Sequence, residues 1–440
     1  MKHILVIGAG RSSSSLITYL LQHAAAENWQ VRVGDMNGAA AVQKVSGYER
    51  GTGFGFDINN AGQREAEIAA ADLVVSMLPA FMHGAVARDC VRLGKHLVTA
   101  SYVSDEMRAL HTEAVQKGIV LLNETGLDPG IDHMSAMQII DRIRHEGGSL
   151  TAFYSYCGGL VAPESNDNPW GYKFSWNPRN VILAGQGTAQ YIENGKYKYL
   201  PYSRLFSSAT RIEVEGHGSF DAYANRDSLS YRSVYGIDDI PTLLRGTLRM
   251  PGYCKAWNVF VQLGLTDDTW KIHHASQLTY AEFVDAFLPA GNGSLRSRLA
   301  QFMNLAEDSE EMRMVEWTGI LSTEKIELEE ASPAQILQHL LEQKWLLRPG
   351  DKDMIVMQHI FEYTLNGTAR RLKSSLVAKG DDEVHTAMAK TVGLPAAMAV
   401  RRILRGEFTR TGVCVPVTPD IYEPVLEELQ AHGICFEEKE

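Results

Sequence analysis

The chain has 440 residues, 45% of them hydrophobic and 22% charged, with a formal net charge of −11. That length suggests two or three domains able to bury ordinary soluble cores, and the acidic balance, with no basic stripe, argues against a nucleic-acid or anionic-membrane partner. The five cysteines, Cys90, Cys157, Cys254, Cys414 and Cys435, are scattered and lack Cys-x-x-Cys spacing, which argues against a disulfide framework or a zinc site and fits a reducing cytosol.

Met1-Lys2-His3 leads directly into the apolar run at residues 4–7. That run is too short for a secretory signal and reads as a buried parallel strand. No apolar run reaches membrane-span length, so a cytoplasmic protein is expected. Helical spacing follows over residues 12–26. Further strands are expected at 31–33, at 73–75 within the segment 71–78, at 96–99 and at 119–122, with the end of a third strand at 55–58. This alternation predicts a doubly wound parallel sheet. Beyond Asn123 a turn-rich segment leads into a helix expected over 132–145. Residues 151–215, rich in Gly, Tyr, Trp, Asn and Pro, read as short strands and long loops of a mixed α/β domain. Residues 266–347 look helical and charged, for example at 305–314 and 333–343. Two antiparallel strands are expected at 354–363 and 370–377, joined by Asn366-Gly367. A helix is expected over 392–404, and the chain ends in a polar, acidic tail.

The strongest local signal is Gly8-Ala9-Gly10-Arg11-Ser12-Ser13, placed between the first strand and the first helix. Gly8 would allow the tight turn, and Gly10 would let a pyrophosphate approach the backbone. The helix N-terminus would supply N–H groups and partial positive charge. Ser13 stands where the third glycine of a dinucleotide fingerprint is expected; a plain strand–helix turn is the alternative. Asp35 lies about 25 residues beyond Gly10, near the spacing of the acid that binds the adenosine ribose. A carboxylate there accepts from ribose hydroxyls and repels a 2′-phosphate, which predicts NAD over NADP, unless Arg11 reaches a 2′-phosphate. Arg32 alternates to the far side of its strand, and Asp35 as a turn cap is the alternative. Asp57, after the third strand, and Leu78, at the end of Ser76-Met77-Leu78-Pro79, are either dinucleotide neighbours or ordinary turn residues.

The segment Asn123-Glu124-Thr125-Gly126-Leu127-Asp128-Pro129-Gly130-Ile131-Asp132-His133 resembles the central signature of the saccharopine reductases, the L-glutamate-forming saccharopine dehydrogenases. Ser155-Tyr156-Cys157-Gly158-Gly159-Leu160, Asp167-Asn168-Pro169-Trp170-Gly171-Tyr172-Lys173-Phe174-Ser175-Trp176, Arg245-Gly246-Thr247-Leu248-Arg249 and Thr391-Val392-Gly393-Leu394-Pro395-Ala396-Ala397 are similar to the same family in its order. The resemblance implies an α/β fold in which a variant Rossmann doubly wound parallel sheet (residues 1–124) joins a mixed α/β substrate and dimerisation domain (125–265 and 350–390). A small helical domain (266–349) and a C-terminal segment (391–440) packing back on the first domain complete it. It implies a homodimer and the reversible conversion of saccharopine, NAD(P)+ and water to L-glutamate, 2-aminoadipate 6-semialdehyde and NAD(P)H.

The resemblance also implies dinucleotide contacts at Gly10, Arg11, Ser12, Ser13, Gly34, Asp35, Met36, Asp57, Ile58, Leu78, Ala100, Leu127, Asp128, Pro129 and Asn177. It implies substrate contacts at Ser101, Tyr102, Asp128, Arg226, Gly246, Thr247 and Leu248. Fungal NADP-using members carry a basic residue where this chain has Asp35. A substrate with three carboxylates needs cations and amide donors. Arg226 suits a carboxylate clamp, unless it pairs with Asp227. Lys173 either binds a carboxylate or snorkels, and Thr247 with the Gly246 backbone either binds a carboxylate or forms a plain turn. Asp128, Tyr102 and Cys157 are the candidate proton-transfer groups. Against those roles stand an N-cap or Asx turn for Asp128, a hydrogen-bonding positioner for Tyr102 and a buried small hydrophobe for Cys157. His133 reads as structural. A related branch, carboxynorspermidine dehydrogenase, and a non-catalytic dinucleotide sensor are the alternatives.

Overall fold

Short apolar runs with no room for alternation are what a strand covered on both faces requires, and the computed structural model, which describes residues 1–440, forms them where that pattern occurs. These strands are β1 (Lys2–Ile7), β2 (Trp29–Asp35), β3 (Gly51–Gly55), β4 (Leu73–Ser76), β5 (His96–Thr99) and β6 (Val120–Leu122). With Gly412–Cys414 they make one seven-stranded sheet in the order Gly412–Cys414, β6, β5, β4, β1, β2, β3. Every pair in it is parallel. Ile4–Ile7 and Leu73–Val75 are essentially inaccessible to solvent. The strand order reverses between β1 and β4, the switch point of a doubly wound fold.

Two elements differ from the sequence expectation. The third strand ends at Gly55, not over residues 55–58. Its Gly-Thr-Gly-Phe-Gly sequence carries almost no apolar signal, while Phe56 and Ile58 are buried from the loop that follows. The expected polar tail contains the strand Gly412–Cys414, in register with Val120–Leu122, and the helix Pro419–Ala431. A three-residue strand is too short to show periodicity, so only its partner reveals it. The helix expected over 392–404 runs Ala387–Arg405 and holds Pro395 inside it.

The chain divides into two compact units, the first comprising Met1–Ser149, Leu365–Gly367 and Leu376–Glu437, the second Leu150–Thr364, Thr368–Ser375 and Glu438–Glu440. The second unit is built on a mixed sheet in which Thr242–Arg249 runs parallel to Ser149–Val161 and antiparallel to Gly218–Ala224. Ser149–Val161 is a single strand of 13 residues, longer than the short strands expected there. Its glycines and aromatics mask a continuous run whose second half is almost wholly buried. Asp353–Leu365 and Thr368–Lys379 meet at Asn366-Gly367, both with positive φ (51° and 75°), the conformation a two-residue hairpin turn demands. Residues 266–349 belong to this unit. Their helices Tyr280–Asp285 and Pro333–Lys344 start with complete capping boxes at Thr279 and Ser332. Trp345 from this stretch stands in one apolar cluster with Trp170, Tyr172, Phe174 and Trp257. No helix is long and apolar enough to cross a membrane, and all five cysteines are free.

Candidate functional site

The turn after β1 is fixed by backbone constraints. Gly8 has φ +110°, and a Cβ there would sit 2.8 Å from the Met77 carbonyl oxygen. Only glycine fits. The Gly8 N–H donates to the Gly34 carbonyl at 2.8 Å, tying the turn to β2. Gly10 is exposed, and a Cβ on it would meet nothing, so the backbone lies open above the turn. Neither Gly10 nor Ser13 caps the turn Arg11–Ser13 or the helix Ser14–His23 with a side chain, which suits an anion bound by the helix start. Ser13 is buried and donates its hydroxyl to the Gly10 carbonyl at 2.9 Å. A serine is thereby accommodated where a third glycine is usual.

Asp35 closes β2, and the two roles weighed for it are compatible. Its Oδ2 accepts from the Ala9 N–H at 2.7 Å and its Oδ1 from the Asn37 N–H at 2.8 Å. The carboxylate therefore holds the glycine turn and caps the next one, and each oxygen keeps a lone pair for a ribose hydroxyl. It stands on the rim of a slot of about 200 Å³ whose other walls are Ile7, Gly34, Met36, Phe56, Ile58, Leu78, Pro79 and Met82. The slot is thus apolar apart from the one carboxylate of Asp35. Asp57 is not among its walls. Its Oδ1 accepts from the Asn59 N–H at 2.9 Å, an Asx turn. Arg11 is exposed, and Arg32 is spent on an ion pair with Glu67 at 2.9 Å.

The loops after β5 and β6 are sewn together. Glu124 N–H donates to the Ser101 carbonyl at 3.1 Å and Thr125 N–H to the Thr99 carbonyl at 3.3 Å. Glu124, at φ 57°, also accepts from the Val103 N–H at 3.0 Å and bonds the buried His133 Nε2 at 2.7 Å, so His133 is structural, as its sequence context indicates. Gly130 has φ +148°, and a Cβ there would lie 2.0 Å from the Gly126 carbonyl oxygen. The Asp128–Pro129 peptide is cis. The helix Ile131–His145 takes Gly130, not Asp128, as its N-cap. Held in this way, Asp128 accepts a hydrogen bond from the Tyr102 hydroxyl at 3.0 Å, so two of the three proton-transfer candidates meet. Ala100, Ser101, Leu127 and Pro129 lie on the same paired loops.

His83 was not legible as a site residue. It opens the helix His83–Leu93, and its Nε2 lies 2.7 Å from the Ser101 Oγ, its Nδ1 2.8 Å from the Ser76 Oγ. Burial pushes its pKa down to about 4. A single histidine in a helix gives no periodic or motif signal.

In the second unit Cys157 faces Thr247 in parallel register, and Gly246 faces Tyr156. The Thr247 hydroxyl donates to Asn225 Oδ1 at 2.8 Å. Leu248 is fully buried. Arg226 is exposed and does not pair with Asp227, whose Oδ1 accepts from the Leu229 and Ser230 N–H groups at 2.9 and 3.1 Å. Asn177 is exposed, and its side chain caps the helix Pro178–Ile182, accepting from Arg179 N–H at 2.9 Å. Lys173 corrects the expectation of a carboxylate binder or a snorkelling chain. It is 2% exposed, with Nζ 2.7 Å from Asp351 and 3.1 Å from Asp167. A second buried cation, Arg249, lies over the rings of Tyr172, Tyr223 and Tyr253 at 5.4, 5.8 and 5.4 Å.

Residues 4–122 match the saccharopine dehydrogenase NADP binding domain and residues 126–434 the saccharopine dehydrogenase C-terminal domain. The alpha-aminoadipic semialdehyde synthase of Rattus norvegicus is 36% identical over 99% of the chain, which spans 47% of that relative's length. The chain thus covers about half of the mammalian proteins it matches. The NADP(+), L-glutamate-forming saccharopine dehydrogenase of Pyricularia oryzae is 33% identical over 100% of the chain and 99% of its own. The solved apo saccharopine dehydrogenase (L-Glu forming) of Saccharomyces cerevisiae superposes with a TM-score of 0.89 at 32% identity, covering 100% of this chain and 99% of that one.

The His83 environment has a pH consequence. Folded, the ring stays neutral down to about pH 4, whereas the unfolded chain protonates it at its ordinary 6.5. Between those values the unfolded state binds the extra proton. Stability from this group is complete above 6.5 and is lost as pH falls toward 4, by ~3 kcal/mol. Urea unfolding of wild type and His83→Gln at both ends of that range should show the variant without this loss. Equal acid losses in the two proteins would mean the ring is not held neutral.

Proposed function

The chain belongs to the saccharopine dehydrogenase family, and from that premise we propose that it cleaves the secondary amine of saccharopine with a nicotinamide dinucleotide, giving L-glutamate and 2-aminoadipate 6-semialdehyde. The observation that carries the reading is the Tyr102–Asp128 pair at 3.0 Å, held on loops at the carboxyl edge of the sheet that also bears the glycine turn. The dinucleotide supplies the acceptor for the hydride that leaves the carbon bearing the amine. Asp35 binds the adenosine ribose, and the backbone from Gly10 to Ser13 takes the pyrophosphate. Asp128 receives the proton that water gives up on adding to the substrate imine, and Tyr102 fixes the carboxylate's orientation. The Arg226 guanidinium clamps a substrate carboxylate through its planar fork. Five free thiols fit a reducing compartment such as the cytoplasm.

We propose further that NAD is preferred to NADP, although the fungal relatives are named for NADP. Asp35 lines the slot and each of its oxygens keeps acceptor capacity, which supports a bond from a ribose hydroxyl, and a 2′-phosphate there would face a carboxylate. Carboxynorspermidine is the competing substrate, and a dinucleotide sensor without turnover is the competing class.

Purified protein given saccharopine should reduce NAD+ faster than NADP+, followed by the absorbance of the reduced ring, and should leave carboxynorspermidine unused. No saccharopine-dependent reduction of either cofactor would defeat the assignment. In the same assay Asp35→Asn, which keeps an acceptor for the Ala9 N–H while removing the charge, should raise kcat/KM for NADP+ relative to NAD+ ~10-fold, about 1.4 kcal/mol. An unchanged ratio would show that Asp35 does not set cofactor choice.

A further inference from the structure

The His83 ring is enclosed by three hydroxyls. Ser76 Oγ lies 2.8 Å from Nδ1, while Ser101 Oγ lies 2.7 Å and Thr99 Oγ1 3.4 Å from Nε2. Ser76 and Thr99 are inaccessible to solvent, and Ser101 is half-buried. The chain of hydroxyls ends inside the protein at Ser76, whose Oγ has no partner but His83. It therefore offers protons at Ser101 no path through the interior to another surface. What it can do is set a direction.

A neutral imidazole has one N–H and one bare nitrogen. Were Nδ1 protonated, it would donate to Ser76 Oγ and leave the Ser76 hydrogen without an acceptor in a dry site, at the full desolvation cost of an unpaired donor. With Nε2 protonated, Ser76 O–H donates to Nδ1 and Nε2–H donates to Ser101 Oγ, so both contacts are satisfied. Thr99 does not reverse this choice. In the first arrangement the nearer Ser101 would already occupy the single Nε2 lone pair. The second arrangement fills an acceptor site of Ser101 from inside and leaves its O–H free to turn outward. The Ser101 backbone cannot drift, because its N–H donates to Thr99 Oγ1 at 3.3 Å and its carbonyl accepts from Glu124 at 3.1 Å.

We propose that His83 is a positioning residue that commits the Ser101 hydroxyl to donate toward the substrate, favouring an anionic oxygen, a carboxylate of the amino-acid conjugate, over an N–H group. The carboxylate rests on the function proposed above; the direction of the hydroxyl does not.

Nitrogen NMR of the full chain labelled at histidine reads the direction without any substrate. At neutral pH His83 should show an N–H type Nε2 and a bare Nδ1, and Ser101→Ala should shift the ring signals. A protonated Nδ1, a charged ring or no response to Ser101→Ala overturns the assignment. Kinetics read the consequence. His83→Ala and Ser101→Ala should each raise KM for saccharopine ~10-fold, with kcat and dinucleotide Kd changed less than ~3-fold. The double variant should be no worse than either single one, because the two act as one device. His83→Gln, which can still donate to Ser101, should recover most of the loss. Multiplicative effects in the double variant, or a fall in stability alone, would reduce His83 to a packing residue. A wild-type protein that ignores saccharopine sinks the substrate reading, and the NMR result still decides the ring.

Discussion

Parallel pairing is the constraint from which the nucleotide site follows. Because all strands of the first sheet run the same way, each must be followed by a crossover, and their carboxyl ends collect along one edge. At the reversal between β1 and β4 the two chains leave in opposite directions, and a gap opens where they part. The protein closes that gap with backbone and one carboxylate rather than with bulk. Gly8 bends against Met77, and Asp35 reaches across from β2 to the Ala9 amide. A single ionised group therefore both shapes the turn and stands beside the slot. Its removal would disturb the geometry of the turn along with the recognition of whatever lies over it.

How much of this was legible depends on the range of the interaction concerned. The glycine turn, Asp35 at the end of the second strand and the helix near residue 131 rest on neighbours in sequence, and the periodicity exposes them. The strand Gly412–Cys414 and the third strand's end rest on partners far away, and three residues of strand carry no period of their own. Lys173 is the sharpest case. Flanked by Tyr172 and Phe174, it looks free to reach a ligand, yet Asp351 and Asp167 neutralise it inside the protein. Arg226 looks from its sequence like the partner of Asp227, and that carboxylate turns back to its own loop. Nearness in sequence was a poor guide to pairing in both. His83 has no motif at all; its meaning lies in three hydroxyls drawn from two strands and a loop.

The loops after β5 and β6 show a second economy. Glu124 occupies a left-handed conformation that side chains ordinarily avoid. Its carboxylate accepts from one loop and bonds a histidine of the following helix, while its amide donates back to Ser101. Strain in one residue is offset by bonds to three places, and the reward is a Tyr102–Asp128 contact placed by backbone on both sides. Such support suits chemistry that tolerates little drift.

The strand Gly412–Cys414 sets an order of events during synthesis. It pairs with Val120–Leu122, and the helix Ala387–Arg405 that precedes it belongs to the same unit as the first strands. A ribosome must therefore deliver Leu150–Thr364 and Thr368–Ser375, nearly all of the second unit, before the first sheet receives its outermost strand. Until then β6 remains an open edge, with unpaired amides and carbonyls available to any extended peptide nearby. The nascent first unit is consequently open to misassembly along β6 for as long as the residues between Leu122 and Gly412 are being made.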